Sequence, residues 1–163
     1  MTRRAPPSAL RRALLRHPRI FVSLFEPDDG ELGALGEEVA ARHLDRLGWR
    51  ILARRLETRA GEADLLVRRG GTLAVVEVKT GRVSPTPRPA GRPLPEDFGL
   101  RWRPGFRCDA RRLARLRRVA CAVSRWESSR QAETRVDLVE VLLSERPRRF
   151  RVIHHEDLRA PLA

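Results

Sequence analysis

Asp64, Glu77 and Lys79 are the residues whose types and spacing point most directly to chemistry. Two carboxylates on neighbouring rigid strands, with open positions for water and phosphate, form the oxygen-rich site that Mg²⁺ or Mn²⁺ prefers. Lysine is a compact charge and arginine a planar fork, so a site can require one and refuse the other. Lys79 is the only lysine among the 34 basic residues, and it lies two positions after Glu77. These residues therefore predict a metal site with a lysine beside it.

A predicted β-hairpin brings the three side chains together. It consists of two runs rich in Leu and Val on either side of Gly70–Gly71, residues 61–67 and 73–79. The two glycines supply the positive φ angles of a tight turn, and this register sets Asp64 directly opposite Glu77. Alternation along the strand then puts Glu77 and Lys79 on one face. Like charges facing each other destabilise a strand pair, which favours a bound cation between them. The alternative is a polar hairpin tip with a solvated Glu–Lys pair.

The spacing of these residues resembles that of the PD-(D/E)xK nucleases, in which an Asp and a turn precede Glu-x-Lys on the next strand. A wider set of residues resembles the YraN-like family of small bacterial proteins: Gly33-Ala-Leu-Gly36-Glu37, Gly48-Trp49, Gly61-Glu62-Ala63-Asp64, Val76-Glu77-Val78-Lys79-Thr80, Arg111-Arg112-Leu113 and Arg135-Val136-Asp137-Leu138-Val139. The resemblance covers most of residues 31–158, with two gaps. Family members usually carry Asn at the position of Arg55, and the stretch 82–105 is longer here than usual.

The resemblance implies the fold of restriction endonucleases and Holliday-junction resolvases, and with it metal-dependent hydrolysis of phosphodiester bonds. The expected substrate is nucleic acid, DNA before RNA, and branched DNA among its forms. Glu37 matches the helix glutamate that lies beside the metal in related nucleases, so Asp64, Glu77 and Glu37 would hold Mg²⁺ or Mn²⁺. Lys79 would position the attacking water or stabilise charge on the phosphorane. The alternative for Glu37 is an ordinary helix acid.

The elements around the hairpin predict an α/β fold with a mixed sheet flanked by helices, an αβββαβ restriction-endonuclease-like core. Asp28 and Glu31 are spaced as a capping box, and apolar residues at helical spacing continue from them to Gly48. A second helix begins at Asp109. The predicted strands outside the hairpin are 49–56, 134–143 and 150–153.

We expect one domain over residues 28–158, a basic and largely disordered arm over residues 1–27, and a tail over 159–163. Six prolines and a lack of periodicity predict a loop over 82–105, either disordered or functional. In this loop Trp102, between two arginines, is an aromatic on which a base could stack.

A formal net charge of +13 favours polyanionic partners. Four arginines recur on one face of the second helix, either as phosphate contacts or as a solvated face: Arg111, Arg115, Arg118 and Arg125. No run is long enough to span a bilayer, and the two cysteines lack metal-ligand spacing, so we expect a cytoplasmic protein. A homodimer is left open. The alternatives to a nuclease are a non-catalytic nucleic-acid-binding protein on the same scaffold, and a basic protein that docks on the ribosome or a membrane surface through its arm.

Overall fold

The computed structural model describes residues 9–83, 108–126, 131–145 and 148–160. Within these ranges the chain forms four helices and five strands. In chain order they are α1 (Ala9–Leu14), α2 (Pro18–Leu24), α3 (Asp29–Arg46), β1 (Arg50–Thr58), β2 (Gly61–Arg69), β3 (Thr72–Val83), α4 (Ala110–Ser124), β4 (Glu133–Glu145) and β5 (Arg148–His155).

The strands form one mixed sheet in the order β1-β2-β3-β4-β5, in which β3 and β4 are parallel and the other neighbours antiparallel. Helix α4 makes the crossover between β3 and β4, as a parallel connection requires. The predicted α/β architecture, a mixed sheet flanked by helices, is confirmed. Among the described residues no helix is long and apolar enough to cross a membrane.

The sheet carries a hydrophobic cluster on each face. Helix α3 covers one face, where Ala40 and Leu44 pack against Val76 of β3. Helix α4 covers the other face, where Leu116 and Val119 pack with residues of β2, β3 and β4. The sheet is therefore buried on both sides, and a charged side chain in its middle must find a partner.

Helix α3 begins at the predicted capping box. The Asp28 side chain accepts from the Glu31 backbone N–H, and the Glu31 carboxylate accepts from the Asp28 backbone N–H, both at 2.9 Å. The helix ends just before Gly48, whose φ of +82° suits a residue without a Cβ. Sequence chemistry thus fixes both ends of the helix that carries Glu37.

The N-terminal segment departs from the expected disordered arm, because residues 9–24 include two helices that pack on the domain. Phe21 and Val22 of α2 are buried with Leu35 of α3. The Arg11 guanidinium donates to both carboxylate oxygens of Glu31, at 2.5 and 2.7 Å. It also lies over the rings of Phe21 and of Phe25, the residue that follows α2. The few apolar side chains of α2 suffice to dock the segment, because they pack on an apolar face of α3. Composition alone does not show that these two surfaces meet.

The loop prediction falls mostly outside the described residues. Arg82 and Val83 belong to β3, whereas residues 84–107, including Trp102, lie outside the described ranges. Residues 1–8 and 161–163 of the predicted arm and tail also lie outside them.

Candidate functional site

The predicted hairpin register is confirmed in the turn-proximal part of β2 and β3. Arg69 pairs with Thr72 and Leu65 with Val76, as a two-residue Gly70–Gly71 turn requires. The ladder ends there. Asp64 and Glu77 do not form the next pair, because the Asp64 Oδ2 atom accepts a hydrogen bond of 2.6 Å from the Val78 backbone N–H. The expectation that the two carboxylates face each other directly is corrected: they meet where the strands separate.

The backbone of β1 is irregular at Arg55, the position opposite Asp64. Arg55 has a φ of +50°, in the left-handed region, and its neighbours pair with those of Asp64. Ala53 and Leu56 pack on the α4 side of the sheet although they are three residues apart, so side-chain alternation is interrupted between them. The Asp64 carboxyl, opposite this interruption, points toward β3, where it accepts the Val78 N–H.

Glu77 is the most buried acid of the site and is 1% exposed. Its Oε1 atom forms an ion pair with Lys79 Nζ at 2.7 Å and accepts from Arg112 Nε at 3.0 Å, and its Oε2 atom accepts from Arg112 Nη2 at 2.5 Å. The bond to Glu77 raises the pKa of Arg112. Glu77 and Lys79 thus come together as predicted, with an arginine that the sequence analysis did not assign to the site.

Arg112 carries a signal that identifies it in retrospect. It lies four residues before Leu116 and seven before Val119, on the apolar stripe of α4 that faces the sheet. A charged residue on a buried stripe requires a partner inside the fold. Arg112 also reaches Glu62, at 3.6 Å, but that acid is largely exposed.

Glu37 lies on the other side of Asp64, on α3. Its carboxylate forms an ion pair with Arg55, with Nε and Oε2 3.1 Å apart, and this bond raises the pKa of Arg55. Helix α3 approaches β3 closely at this level, because a methyl group on Gly36 would overlap the side chain of Thr80. Glu37 therefore belongs to the predicted site by its ion pair with Arg55 and by the effect of its charge on Asp64.

Asp64 has a strongly perturbed acidity. Its pKa is raised to about 6, first by burial and then by the negative charge of Glu77. The charge of Glu37 raises it further, whereas the Val78 N–H and the charge of Arg112 lower it without compensating. Arg55 and Arg112 lie on either side of Asp64, but they pair with Glu37 and Glu77. The negative charge of the Asp64 carboxylate is therefore not compensated by a cation of its own.

A second buried acid, Asp137, provides a contrast. Burial alone would raise its pKa, but the hydrogen bond to His154, the Asp157 backbone N–H and the charge of Arg135 outweigh burial and lower it. Asp137 is 0% exposed and His154 approaches it at 2.8 Å. A structural carboxylate in this protein is thus fully compensated, and Asp64 is not.

The donor set fits a small divalent cation held by few protein ligands. Within the described residues no group of three His, Cys, Asp or Glu side chains is arranged to hold a metal ion. Mg²⁺ usually binds through one or two carboxylates, with water and substrate phosphate completing its shell. Asp64 and Glu77 meet that requirement, and the uncompensated charge of Asp64 favours a cation. Binding to Glu77 would require an oxygen now shared with Arg112 or Lys79.

The predicted basic face lies on α4. Arg111, Arg118 and Arg125 are exposed and Arg115 is half-buried. In the described part of the chain, none of these four arginines forms an ion pair with an acid. Arg115 packs on Gly61, whose φ of +140° and lack of a Cβ accommodate it. The face begins on the helix turn that also carries Arg112, so it adjoins the site.

The profile described as "Uncharacterised protein family UPF0102" matches residues 36–141, more than half of the 163-residue chain and the whole site from Glu37 to Arg112. The chain belongs to this family. The resemblance to the YraN-like family is thereby confirmed. A UPF0102 protein of Acidothermus cellulolyticus is 41% identical over 109 residues, which cover 67% of this chain and 68% of the relative.

Two further UPF0102 relatives differ in how much they share. The relative from Pelotomaculum thermopropionicum is 34% identical over 128 residues, 77% of this chain and 92% of the relative. The relative from Rhizorhabdus wittichii is 58% identical over 48 residues, which span 29% of this chain and 41% of the relative.

Proposed function

We propose that this UPF0102 protein is a Mg²⁺- or Mn²⁺-dependent endonuclease that hydrolyses phosphodiester bonds in nucleic acid, with DNA as the expected substrate. One observation carries the proposal: Asp64 and Glu77 converge where β2 and β3 separate, and their repulsion helps raise the pKa of Asp64 to about 6. A buried pair of acids is unfavourable for folding alone, and perturbed acids of this kind cluster at functional sites.

Each residue of the site has a role in this proposal. Asp64 and Glu77 would hold the ion, and Glu37 would support it from α3 through added negative charge. When bound, the ion supplies polarisation of the phosphate and a more acidic water. Lys79, whose Nζ lies 2.7 Å from Glu77, would orient the water or neutralise charge developing on the phosphate. The exposed arginines of α4 would bind the flanking phosphates as bidentate forks.

A second candidate is a non-catalytic nucleic-acid-binding protein on the same scaffold. The observation that supports it is that Glu77 has no carboxylate oxygen without a partner. Arg112 and Lys79 together contact both oxygens, which leaves neither open to a metal ion in this arrangement. This candidate predicts binding whose logarithmic affinity falls steeply with the logarithm of salt concentration, without cleavage.

An assay with purified protein separates the two candidates. Branched, single-stranded and duplex DNA and RNA are incubated with the protein and Mn²⁺, and Lys79→Ala is compared with wild type and with Arg50→Ala, an exposed arginine on β1. The nuclease proposal predicts cleavage by wild type and Arg50→Ala and its loss in Lys79→Ala. Equal cleavage by Lys79→Ala would indicate contamination. Salt-sensitive binding without any cleavage would favour the second candidate.

A further inference from the structure

A cavity of about 560 Å³ lies between α2, α3 and β5, away from the Asp64 site, and shares no residue with it. Its walls include apolar side chains from all three elements: Val22, Val39, Phe150 and Val152. Phe150 and Val152 are half-buried, so part of this apolar surface is open to the cavity. The volume lies within the range of small-molecule sites, about 300–1,000 Å³.

The rim of the cavity is strongly basic. Five arginines line it, and among the described residues that line it there is no acid: Arg19, Arg42, Arg46, Arg148 and Arg149. Such a concentration of like charge is unfavourable unless an anion shares the space. The rim is therefore positively charged, whereas the site on the hairpin is built on carboxylates.

Two of the five arginines are fixed by the protein itself. Arg42 Nε donates to Glu38 at 2.7 Å, and its guanidinium also donates to the Arg16 carbonyl oxygen. Arg148 Nη1 donates to the carbonyl oxygens of Val22 and Phe25, each at 3.3 Å. The Arg42 bond ties α3 to the segment just before α2, and the Arg148 bonds tie β5 to α2 and its end, so both help to form the walls of the cavity.

The other three arginines are available to a ligand. Arg19, Arg46 and Arg149 are exposed, and across the described ranges no acid forms an ion pair with them. His43, also on the lining, has its pKa lowered first by burial and then by its neighbours His154 and Arg46. The lining thus offers free guanidinium forks beside neutral, apolar surface.

We propose that this cavity binds a nucleotide unit, with its phosphate on the free arginines Arg46 and Arg149 and its base against the apolar wall at Phe150. Guanidinium forks match phosphate oxygens bidentately, and a flat base stacks on aromatic and guanidinium faces. The same chemistry is offered by the phosphorylated end of a nucleic-acid strand and by a free nucleotide. This cavity can bind a nucleotide whether or not the Asp64 site cleaves nucleic acid, because none of the residues of that site lines the cavity.

Fluorescence titration with a labelled nucleoside monophosphate tests the proposal on the full chain. Arg46→Ala combined with Arg149→Ala is expected to weaken binding by about tenfold or more, since two charge-assisted contacts are lost. The control removes two equally exposed arginines that do not line the cavity, Arg50→Ala with Arg151→Ala. It should bind within about twofold of wild type, because surface charges at a distance are screened. Equal weakening in both double variants would overturn the proposal.

A cavity-filling variant, Val39→Phe, tests the apolar part without removing a charge. It should also abolish nucleotide binding while its melting temperature shows that it folds. Competition then identifies the source of the ligand. A 5′-phosphorylated oligonucleotide that competes better than its 5′-hydroxyl form indicates a strand end, and a mononucleotide that competes equally well indicates a free nucleotide. Equal competition by inorganic phosphate or by an unphosphorylated nucleoside, or no binding by wild type, would overturn the proposal.

Discussion

At the scale of single residues, positive charge is distributed unevenly among the three acids of the site. Glu77 has Arg112 and Lys79, and Glu37 has Arg55. Asp64 receives a backbone N–H but, in the described chain, no cationic side chain. This asymmetry makes Asp64 the residue whose protonation responds to its surroundings, and its raised pKa follows from burial and from Glu77.

The stability of the protein should depend on pH through Asp64. Its pKa is about 6 in the folded protein against an ordinary value of 3.8, so between these values the folded state binds more protons than the unfolded state. The contribution of Asp64 to the free energy of unfolding therefore falls as pH rises through this window, by roughly 1–2 kcal/mol after allowance for solvent. Asp64→Asn removes this dependence and can keep an acceptor for the Val78 N–H.

Urea unfolding of wild type and Asp64→Asn at about pH 4 and about pH 7.5 measures the effect. The variant should gain stability relative to wild type at the higher pH. A relative loss at the higher pH would mean that the Asp64 charge is compensated, as that of Asp137 is.

Arg112 should contribute strongly to folding in the absence of metal. Arg112→Ala leaves the buried Glu77 with Lys79 alone, and loss of one partner of a buried pair costs about 3 kcal/mol. The adjacent exposed Arg111 provides a matched control, and Arg111→Ala should change the free energy of unfolding by less than about 0.5 kcal/mol. Mn²⁺ should then raise the melting temperature of Arg112→Ala more than that of wild type, because a cation replaces the guanidinium.

Thermal melts of the two variants with and without Mn²⁺ measure both effects. If Arg112→Ala and Arg111→Ala melt alike, the buried pair contributes nothing. If Mn²⁺ stabilises Arg112→Ala no more than wild type, Glu77 is not a ligand.

At the scale of elements, the site depends on where α3, β1, β2 and β3 meet. The hairpin register was predictable because a two-glycine turn leaves one pairing, and Leu and Val runs on either side form its strands. The end of the β2–β3 pairing before Asp64 was not predictable from the turn, and neither was the positive φ at Arg55, a residue type that rarely adopts one.

Gly36 should control the approach of α3 to β3. Gly36→Ala places a methyl group on Thr80 and is expected to destabilise the protein by about 1–3 kcal/mol, and to move Glu37 away from the site. Gly33 lies in the same helix with open space around its Cα, so Gly33→Ala should stabilise by about 0.5–1 kcal/mol through helix propensity. Denaturant titrations of both variants check the signs, and two variants of equal stability would contradict the close approach.

At the scale of the whole molecule, the helices of residues 9–24 belong to the domain. Local patterns predicted the helices and strands of the sheet region, since capping residues, periodic apolar residues and the glycine turn all act over a few positions. They did not predict the docking of α2 or the Arg112–Glu77 bond, because both join residues distant in sequence.

The docking of α2 should be measurable in stability. Phe21 is 0% exposed, and Phe21→Ala is expected to lower the free energy of unfolding by about 3–4 kcal/mol. Leu24, in the same helix, is 61% exposed, and Leu24→Ala should have an effect below about 1 kcal/mol. Urea unfolding of both variants gives the comparison. Equal, small effects would return the segment to the status of a disordered arm.

The proposed function requires Asp64 and Glu77 to hold one divalent cation together. Calorimetric titration of Mn²⁺ into wild type, Asp64→Asn and Glu57→Gln tests this requirement. Glu57→Gln is the matched control, because Glu57 is an exposed acid on β1 and its substitution removes one negative charge away from the site. We expect one Mn²⁺ site in wild type and in Glu57→Gln, and binding at least about tenfold weaker in Asp64→Asn because a charged ligand is lost. Equal Mn²⁺ affinity in all three proteins, or no binding to any of them, would contradict it.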